Sequence, residues 1–212
     1  MKTTTITVIL LCVVELLTMK TAQAQGTIFV SSLGQPTAGS MSVANDTWVA
    51  ASFQTGPSPG GYALNAIQLL MSQASGIPNG FTVMLYSFAG TPPHSLAALN
   101  GSDPATSGVF TYSGASFSLA PLSTYWFAVT ATTPVATGSY RWSFSDAGDI
   151  SSNGWKIWGS YQTSADGIHW TRDFKTFQFA VNATAVPEPS SLALWFSGGI
   201  IAAIRFIRRR KI

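Results

Sequence analysis

Between residues 25 and 186, apolar side chains recur with a period of two over short stretches, the spacing that puts alternate residues on opposite faces of a β-strand. Tyr140-Arg141-Trp142-Ser143-Phe144 alternates strictly, so Tyr140, Trp142 and Phe144 form an inward face opposite Arg141. Residues 81–88 and 125–129 are dense in aromatic and β-branched side chains, which fit a pleated, half-buried surface. Further strand segments occupy 27–30, 47–53, 64–71, 108–112, 155–161, 168–171 and 176–181, about ten strands in all. Residues 96–99 could form one helical turn. Pro78-Asn79-Gly80, Asn100-Gly101, Asn153-Gly154 and Asp166-Gly167 separate the strands and offer the positive φ that tight turns demand. Short strands, regular turns and no long 3.6-period segment predict an all-β domain over residues 25–186, an antiparallel β-sandwich of jelly-roll type.

The pattern changes at both ends. Met1-Lys2 precedes the uncharged run 3–14, and small residues follow at Ala22-Gln23-Ala24. A positive start, an apolar middle and an A-x-A site predict a secretory signal peptide over 1–24, cut by signal peptidase between Ala24 and Gln25. The 12-residue run is too short for the ~20 residues of a spanning helix. Cys12, the single cysteine, falls inside it, so the mature chain is expected to hold no disulfide. At the other end, Val186-Pro187-Glu188-Pro189-Ser190-Ser191 leads into the apolar run 192–204, then Arg205-Phe206-Ile207-Arg208-Arg209-Arg210-Lys211. The prolines stop any continuing strand, because each lacks a donor and fixes φ. With Arg205 snorkelling toward the headgroups, a transmembrane helix is expected over about 192–207. By the positive-inside rule Arg205, Arg208, Arg209, Arg210 and Lys211 stay cytoplasmic and residues 25–186 lie across the membrane from them.

Charge reinforces this division. The whole chain carries +3 with a pI near 9.2, yet only Arg141, Lys156, Arg172 and Lys175 of its eleven basic residues fall within 25–186, against six aspartates. The basic pI thus describes the two ends. Nucleic-acid binding loses its main support, since counterion release needs clustered Lys and Arg. At 9% charged and 12% aromatic, the composition also excludes a disordered chain.

Residues 187–212 resemble the PEP-CTERM sorting signal: a Pro187-Glu188-Pro189 motif, an apolar helix and a terminal arginine cluster, in that order. The resemblance implies recognition by an exosortase-type membrane transpeptidase, removal of the helix, and transfer to the cell envelope or extracellular matrix, typically of a Gram-negative bacterium that makes exopolysaccharide. Residues 48–142 are similar to the choice-of-anchor R domain. The matching features are Ser52-Phe53 before a glycine-rich loop, Ile67-Gln68-Leu69, Val83-Met84-Leu85-Tyr86 before Gly90, Leu122-Ser123-Thr124-Tyr125-Trp126, and the late Trp142. That resemblance implies an exported β-sandwich and brings no catalytic residues with it.

Candidate chemistry is sparse. Residues 25–186 hold two histidines, six aspartates and no glutamate or cysteine. His94 lies in a proline-stiffened loop and His169 near a predicted hairpin, and no nucleophile-elbow pattern frames a serine. Asp146 and Asp149 offer oxygen ligands for Ca²⁺, but the EF-hand spacing is absent and turn geometry is the favoured reading. No cofactor is expected. Aromatic residues are the richer inventory, because apolar sugar faces stack on indole rings. Period two places Trp155, Ile157 and Tyr161 on one face, with Lys156, Trp158 and Ser160 on the other; Tyr125, Phe127 and Val129 likewise alternate against Trp126. Trp126 and Trp158 are therefore the candidates for glycan contact. The expected function is that of an exported, noncatalytic surface or matrix protein, structural or adhesive, in an exopolysaccharide layer. The alternative is a carbohydrate-active enzyme or a lectin-like module on a jelly-roll scaffold.

Overall fold

The computed structural model describes residues 26–87 and 95–187. The expected signal peptide with its cleavage site before Gln25, His94, Glu188, Pro189, the apolar run and the basic tail lie outside the described residues. Every regular element described is a strand. In chain order they are β1 (Thr27–Ser31), β2 (Gly39–Val43), β3 (Trp48–Gln54), β4 (Tyr62–Gly76), β5 (Thr82–Ser87), β6 (Ser95–Leu99) and β7 (Gly108–Leu119). There follow β8 (Thr124–Thr130), β9 (Gly138–Ser145), β10 (Ile150–Ser152), β11 (Trp155–Ser164), β12 (Thr171–Asp173), β13 (Thr176–Phe177) and β14 (Phe179–Ala185).

They form two antiparallel sheets packed as a sandwich. The first runs β1-β14-β4-β9-β13, with β2 added on β9 and β7 on β4; the second runs β10-β11-β3-β8-β5-β6, with β12 added on β11. One sheet thus contains the neighbours β2-β9-β4-β7 and the other the neighbours β3-β8-β5-β6. The chain changes sheet at each step from β2 to β5. The longest strand, β4, organises the first sheet: β7 covers one edge, while β14 (from Tyr62 to Leu69) and then β9 (from Met71) share the other.

The hand-over between β9 and β4 falls at Gln178, the single residue between β13 and β14. Phe177 pairs with Phe144 on β9, whereas Phe179 pairs with Leu69 on β4. Gln178 itself is fully buried. Its backbone N–H donates to Ser143 O and its carbonyl accepts from Leu70 N–H. Its side chain accepts from the Thr37 hydroxyl at 2.8 Å and donates to Gln35 O at 2.6 Å. Beside it, buried Ser32 donates toward the carbonyls of Phe177 and Phe179 and accepts the Phe179 N–H at 2.8 Å. Every polar group of this irregular step is satisfied, which is the condition for burying it.

Inward-facing aromatics join the sheets. Trp142 on β9 lies 4.4 Å from the Phe177 ring and 5.4 Å from Phe127 of the opposite sheet, and its indole N–H donates to Gln178 O at 3.1 Å. A second group surrounds Trp155, with Tyr62 at 4.6 Å and Phe29 stacked at 5.0 Å. Tyr140 and Trp142 are buried and Phe144 packs against the core, as the strict alternation predicts.

Several sequence expectations change. Residues 96–99 are not a helical turn but part of β6, because pairing with β5, Val83 to Leu99, fixes them as an edge strand. The strand expected at 168–171 begins only at Thr171, since Asp166 captures the N–H groups of Ile168 and His169 in a turn. Gly80, Asn153, Gly154 and Gly167 have the expected positive φ. Gly101 does not; it is small because a Cβ there would come within 2.5 Å of the Tyr112 ring.

The two core tryptophans give a paired test. Trp155 Nε1 is buried without a hydrogen-bond partner among the described residues, whereas Trp142 Nε1 is bonded. Both substitutions by Phe leave a similar void, but only Trp142→Phe also removes a buried bond to the junction. Trp142→Phe should therefore cost ~1–2 kcal/mol more than Trp155→Phe in urea unfolding. Equal costs would show that the indole bond contributes nothing net.

Candidate functional site

The outer face of the second sheet is built around β3, whose inward residues Val49, Ala51 and Phe53 enter the core. Its outward residues are small and still buried: Ala50 is 4% and Ser52 1% exposed. They are shaded by taller neighbours. Ser52 pairs with Trp126 on β8, which in turn pairs with Tyr86 on β5. On the other side, Ile157 pairs with Phe53 and Tyr161 with Ala51, leaving Trp158, Gly159 and Ser160 as a bulge opposite Ser52. Trp126 and Trp158 thus stand one strand to either side of Ser52, with backbones about 10 Å apart from two strand spacings. Both are half-buried.

Charged groups organise the Trp158 side. The Lys156 ammonium lies 3.7 Å above the Trp158 ring centroid and 2.7 Å from Asp149 Oδ2. Asp149 Oδ1 accepts the Gly159 N–H at 2.6 Å. That backbone donor first, and the lysine second, hold the Asp149 carboxyl below its ordinary range. The clamp ties the bulge to the β9–β10 connection and covers one face of the indole. Arg172 on β12 donates to Ser160 Oγ at 3.1 Å. The face therefore offers indole rings over a floor of small residues, rimmed by an ammonium and a guanidinium.

The sequence-derived inward set Trp155, Ile157 and Tyr161 is buried, and Lys156 and Trp158 share the opposite face. Ser160 differs: it is outward by phase yet only 4% exposed, because the bulge folds it beneath Arg172. Sequence reasoning named Trp126 and Trp158 but missed the Asp149–Lys156 clamp. A signal was present, since an Asn153-Gly154 two-residue turn fixes the register Ile150↔Ile157 and brings residue 149 diagonally against 156.

Asp146 and Asp149 each have their own lysine: Asp146 Oδ1 is 2.5 Å from Lys175 Nζ. His169 belongs to a shallow cleft of about 350 Å³ at the end of the sandwich near the β11–β12 connection, lined in part by Asp46, Thr163, Ser164 and Asp166. Its Nδ1 is 2.6 Å from Asp166 Oδ2. The Ser164 hydroxyl, however, donates to Asp166 Oδ1 and accepts the N–H groups of Asp166 and Gly167. Serine and imidazole thus meet at the carboxylate and not at each other, so the imidazole is not placed to act as a base on the hydroxyl. The N–H and ring of His169, with the Ile168 N–H, hold the Asp166 carboxyl far below its ordinary range. A carboxylate so stabilised is a poor proton donor, which is the reverse of a glycosidase acid.

Comparison with family models, with curated proteins and with solved structures finds no match for this chain.

The Asp149 clamp predicts a pH dependence. Its folded pKa is depressed, so its contribution is present above the unfolded value of 3.8 and is lost as pH falls through the folded value. After allowance for an exposed pair, ~0.5–1 kcal/mol is expected. Asp149→Asn should lower the melting midpoint near pH 7 by about 1–4 °C, and the gap should close in acid as both carry a neutral side chain. A gap of constant size from pH 7 into acid would show that charge has no part in it.

Proposed function

We propose that this chain is an exported, noncatalytic cell-surface or extracellular-matrix protein, delivered by an exosortase-type transpeptidase and serving a structural or adhesive role in an exopolysaccharide layer. The observation that carries the reading is the order of its C-terminal features: Pro187-Glu188-Pro189, an apolar run, then Arg205 to Lys211, in a chain that begins with an A-x-A leader. The folded part is consistent with it. The strand orders β2-β9-β4-β7 in one sheet and β3-β8-β5-β6 in the other support a jelly-roll form of the sandwich, and a β-sandwich is what the choice-of-anchor R resemblance implies. β14, the last strand among the described residues, ends at Ala185, three positions before Glu188 in the sequence. The engagement of His169, Ser164 and Asp166 in turn geometry supports the noncatalytic reading.

Glu188→Ala tests the sorting role. It leaves the apolar run and arginines intact, so a plain hydrophobic anchor would behave as before. A transpeptidase reads side chains near the scissile bond, and Glu188 is the single charged group between Lys175 and Arg205. In a host with an intact exosortase, Glu188→Ala should accumulate as a membrane species that keeps its C-terminal helix, while mass spectrometry of the parent shows Gln25 first and the helix gone. Release of the variant at the parental rate would refute the motif's role.

A second reading, a lectin-like glycan-binding module, is favoured by the placement of Trp126 and Trp158 on one face, either side of Ser52. If it holds, a glycan array should reveal a ligand for the exported chain. Trp126→Ala and Trp158→Ala should each then weaken binding about tenfold, since an aromatic contact contributes ~1 kcal/mol or more. Binding unchanged in both variants would remove this face from consideration.

A further inference from the structure

Both described ends of the chain emerge at one end of the sandwich. Thr27 pairs with Ala183, Ala185 with Tyr62, and Tyr62 with Leu119. The same loop receives both neighbouring segments: Val186 N–H donates to Gly61 O at 3.0 Å, and Leu122 N–H to Gly56 O at 3.1 Å. Apolar side chains project from this end, with Leu122 63%, Ile28 47% and Val186 39% exposed. Leu122 also has a φ of 51°, in the left-handed region where glycine or asparagine sits without strain. An apolar side chain is thus kept at an exposed turn despite its backbone, the kind of outlier that points toward function.

The loops at the tip of this end carry no charge; the Lys156–Asp149 ion pair lies directly behind them, with Lys156 opposite Gln54 and Ser151. Residues 26–32, 54–66, 113–125, 150–155 and 181–187 contain no Asp, Glu, Lys, Arg or His. Asp46 and Asp166 lie instead on the cleft at the opposite end. The apolar run begins at Leu192, five residues beyond Pro187, and a fully extended chain covers at most about 18 Å over that distance. If the run is the membrane anchor of the proposed sorting signal, this loop tip cannot stand further than that from the bilayer.

We infer that the loop tip at this end of the sandwich rests on the membrane surface before processing, with Leu122, Ile28 and Val186 inserted at the headgroup level of the bilayer. The inference rests on the anchor reading of residues 192–207. Its chemistry is apolar and not electrostatic, so it requires no anionic lipid. Its effect is to hold Pro187-Glu188-Pro189 at the interface, in reach of a membrane-embedded transpeptidase.

The chain from Gln25 onward has no cysteine, because Cys12 lies in the leader, so single labels can be placed at will. The chain spanning residues 25–212 is reconstituted in phosphatidylcholine vesicles with a fluorophore on Thr27→Cys, Ile168→Cys or Leu194→Cys, and spin-labelled lipids serve as quenchers near the headgroups. We expect the Thr27 and Leu194 labels to be quenched at least twofold and the Ile168 label not to be, with no increase when anionic lipid is added. Adding Leu122→Asp, at an exposed position that leaves the core untouched, should at least halve the quenching at Thr27. Quenching at Leu194 without quenching at Thr27 would overturn the docking and leave the anchor standing. Quenching at neither would overturn the anchor and the docking with it. Equal quenching at Thr27 and Ile168, or quenching at Thr27 that needs anionic lipid or ignores Leu122→Asp, would also overturn the inference.

Discussion

The first sheet depends on the burial of a strand irregularity at Gln178. A chain that leaves β9 to pair with β4 must break the ladder for one residue, and each broken ladder position strands an N–H and a C=O. Gln178 resolves this by bonding its backbone to Ser143 and Leu70 and its side chain to Thr37 and Gln35. Ser32 does the same for Phe177 and Phe179 from the other side. The Trp142 indole donates to the same Gln178 carbonyl while its ring packs on Phe177 and Phe127. One polar step is therefore coupled to the aromatic core that joins the sheets, and polar satisfaction and apolar packing depend on each other at that point.

The consequences reach the surface. Because β14 is handed to β4 at this step, it runs down to Tyr62 and carries the chain out beside the β1 start and the Leu122 turn. The exit of the chain, and with it the position of Pro187, is a product of the junction. The second sheet has its own irregularity, the β11 bulge, fixed by Asp149 and Lys156. There the extra residues set Trp158 opposite Ser52 and within two strands of Trp126. Both irregularities lie where the sheet meets something else, a chain exit in one case and a candidate binding face in the other, in keeping with the general placement of bulges.

The few titratable groups of the domain act mainly as fasteners. Asp103 gathers the N–H groups of Gly80 and Phe81 and the Tyr140 hydroxyl, at 2.7 Å for the last. Asp46 accepts the Val135 N–H, and Asp166 closes its own turn. Carboxylates spent on backbone donors are held in a fixed orientation, which suits loops that must keep their shape without disulfides. The same economy leaves little for acid–base chemistry. It makes the aromatic face and the loop tip around Leu122 the surfaces with the most distinctive chemistry.

By itself the sequence determined the strand character of the domain, the inward face of Tyr140 and Trp142, three of the four glycine turns, and the placement of most basic residues outside it. These are local properties, set by side-chain period, β-propensity and the sterics of positive φ, so they can be read without knowing the partner strands. Tertiary structure decided what depends on partners. Residues 96–99 became strand because β5 offered an edge, and the 168–171 strand shifted because Asp166 claimed its N–H groups. Gln178 and Ser32 looked like ordinary polar residues until the meeting of three strands gave them buried donors and acceptors. Likewise Trp126 and Trp158 could be assigned to outward faces from alternation, but their common face followed from sheet order and the β11 bulge. Pairing between residues far apart in the chain carries no local periodicity, and its energy appears only once the sheets have assembled.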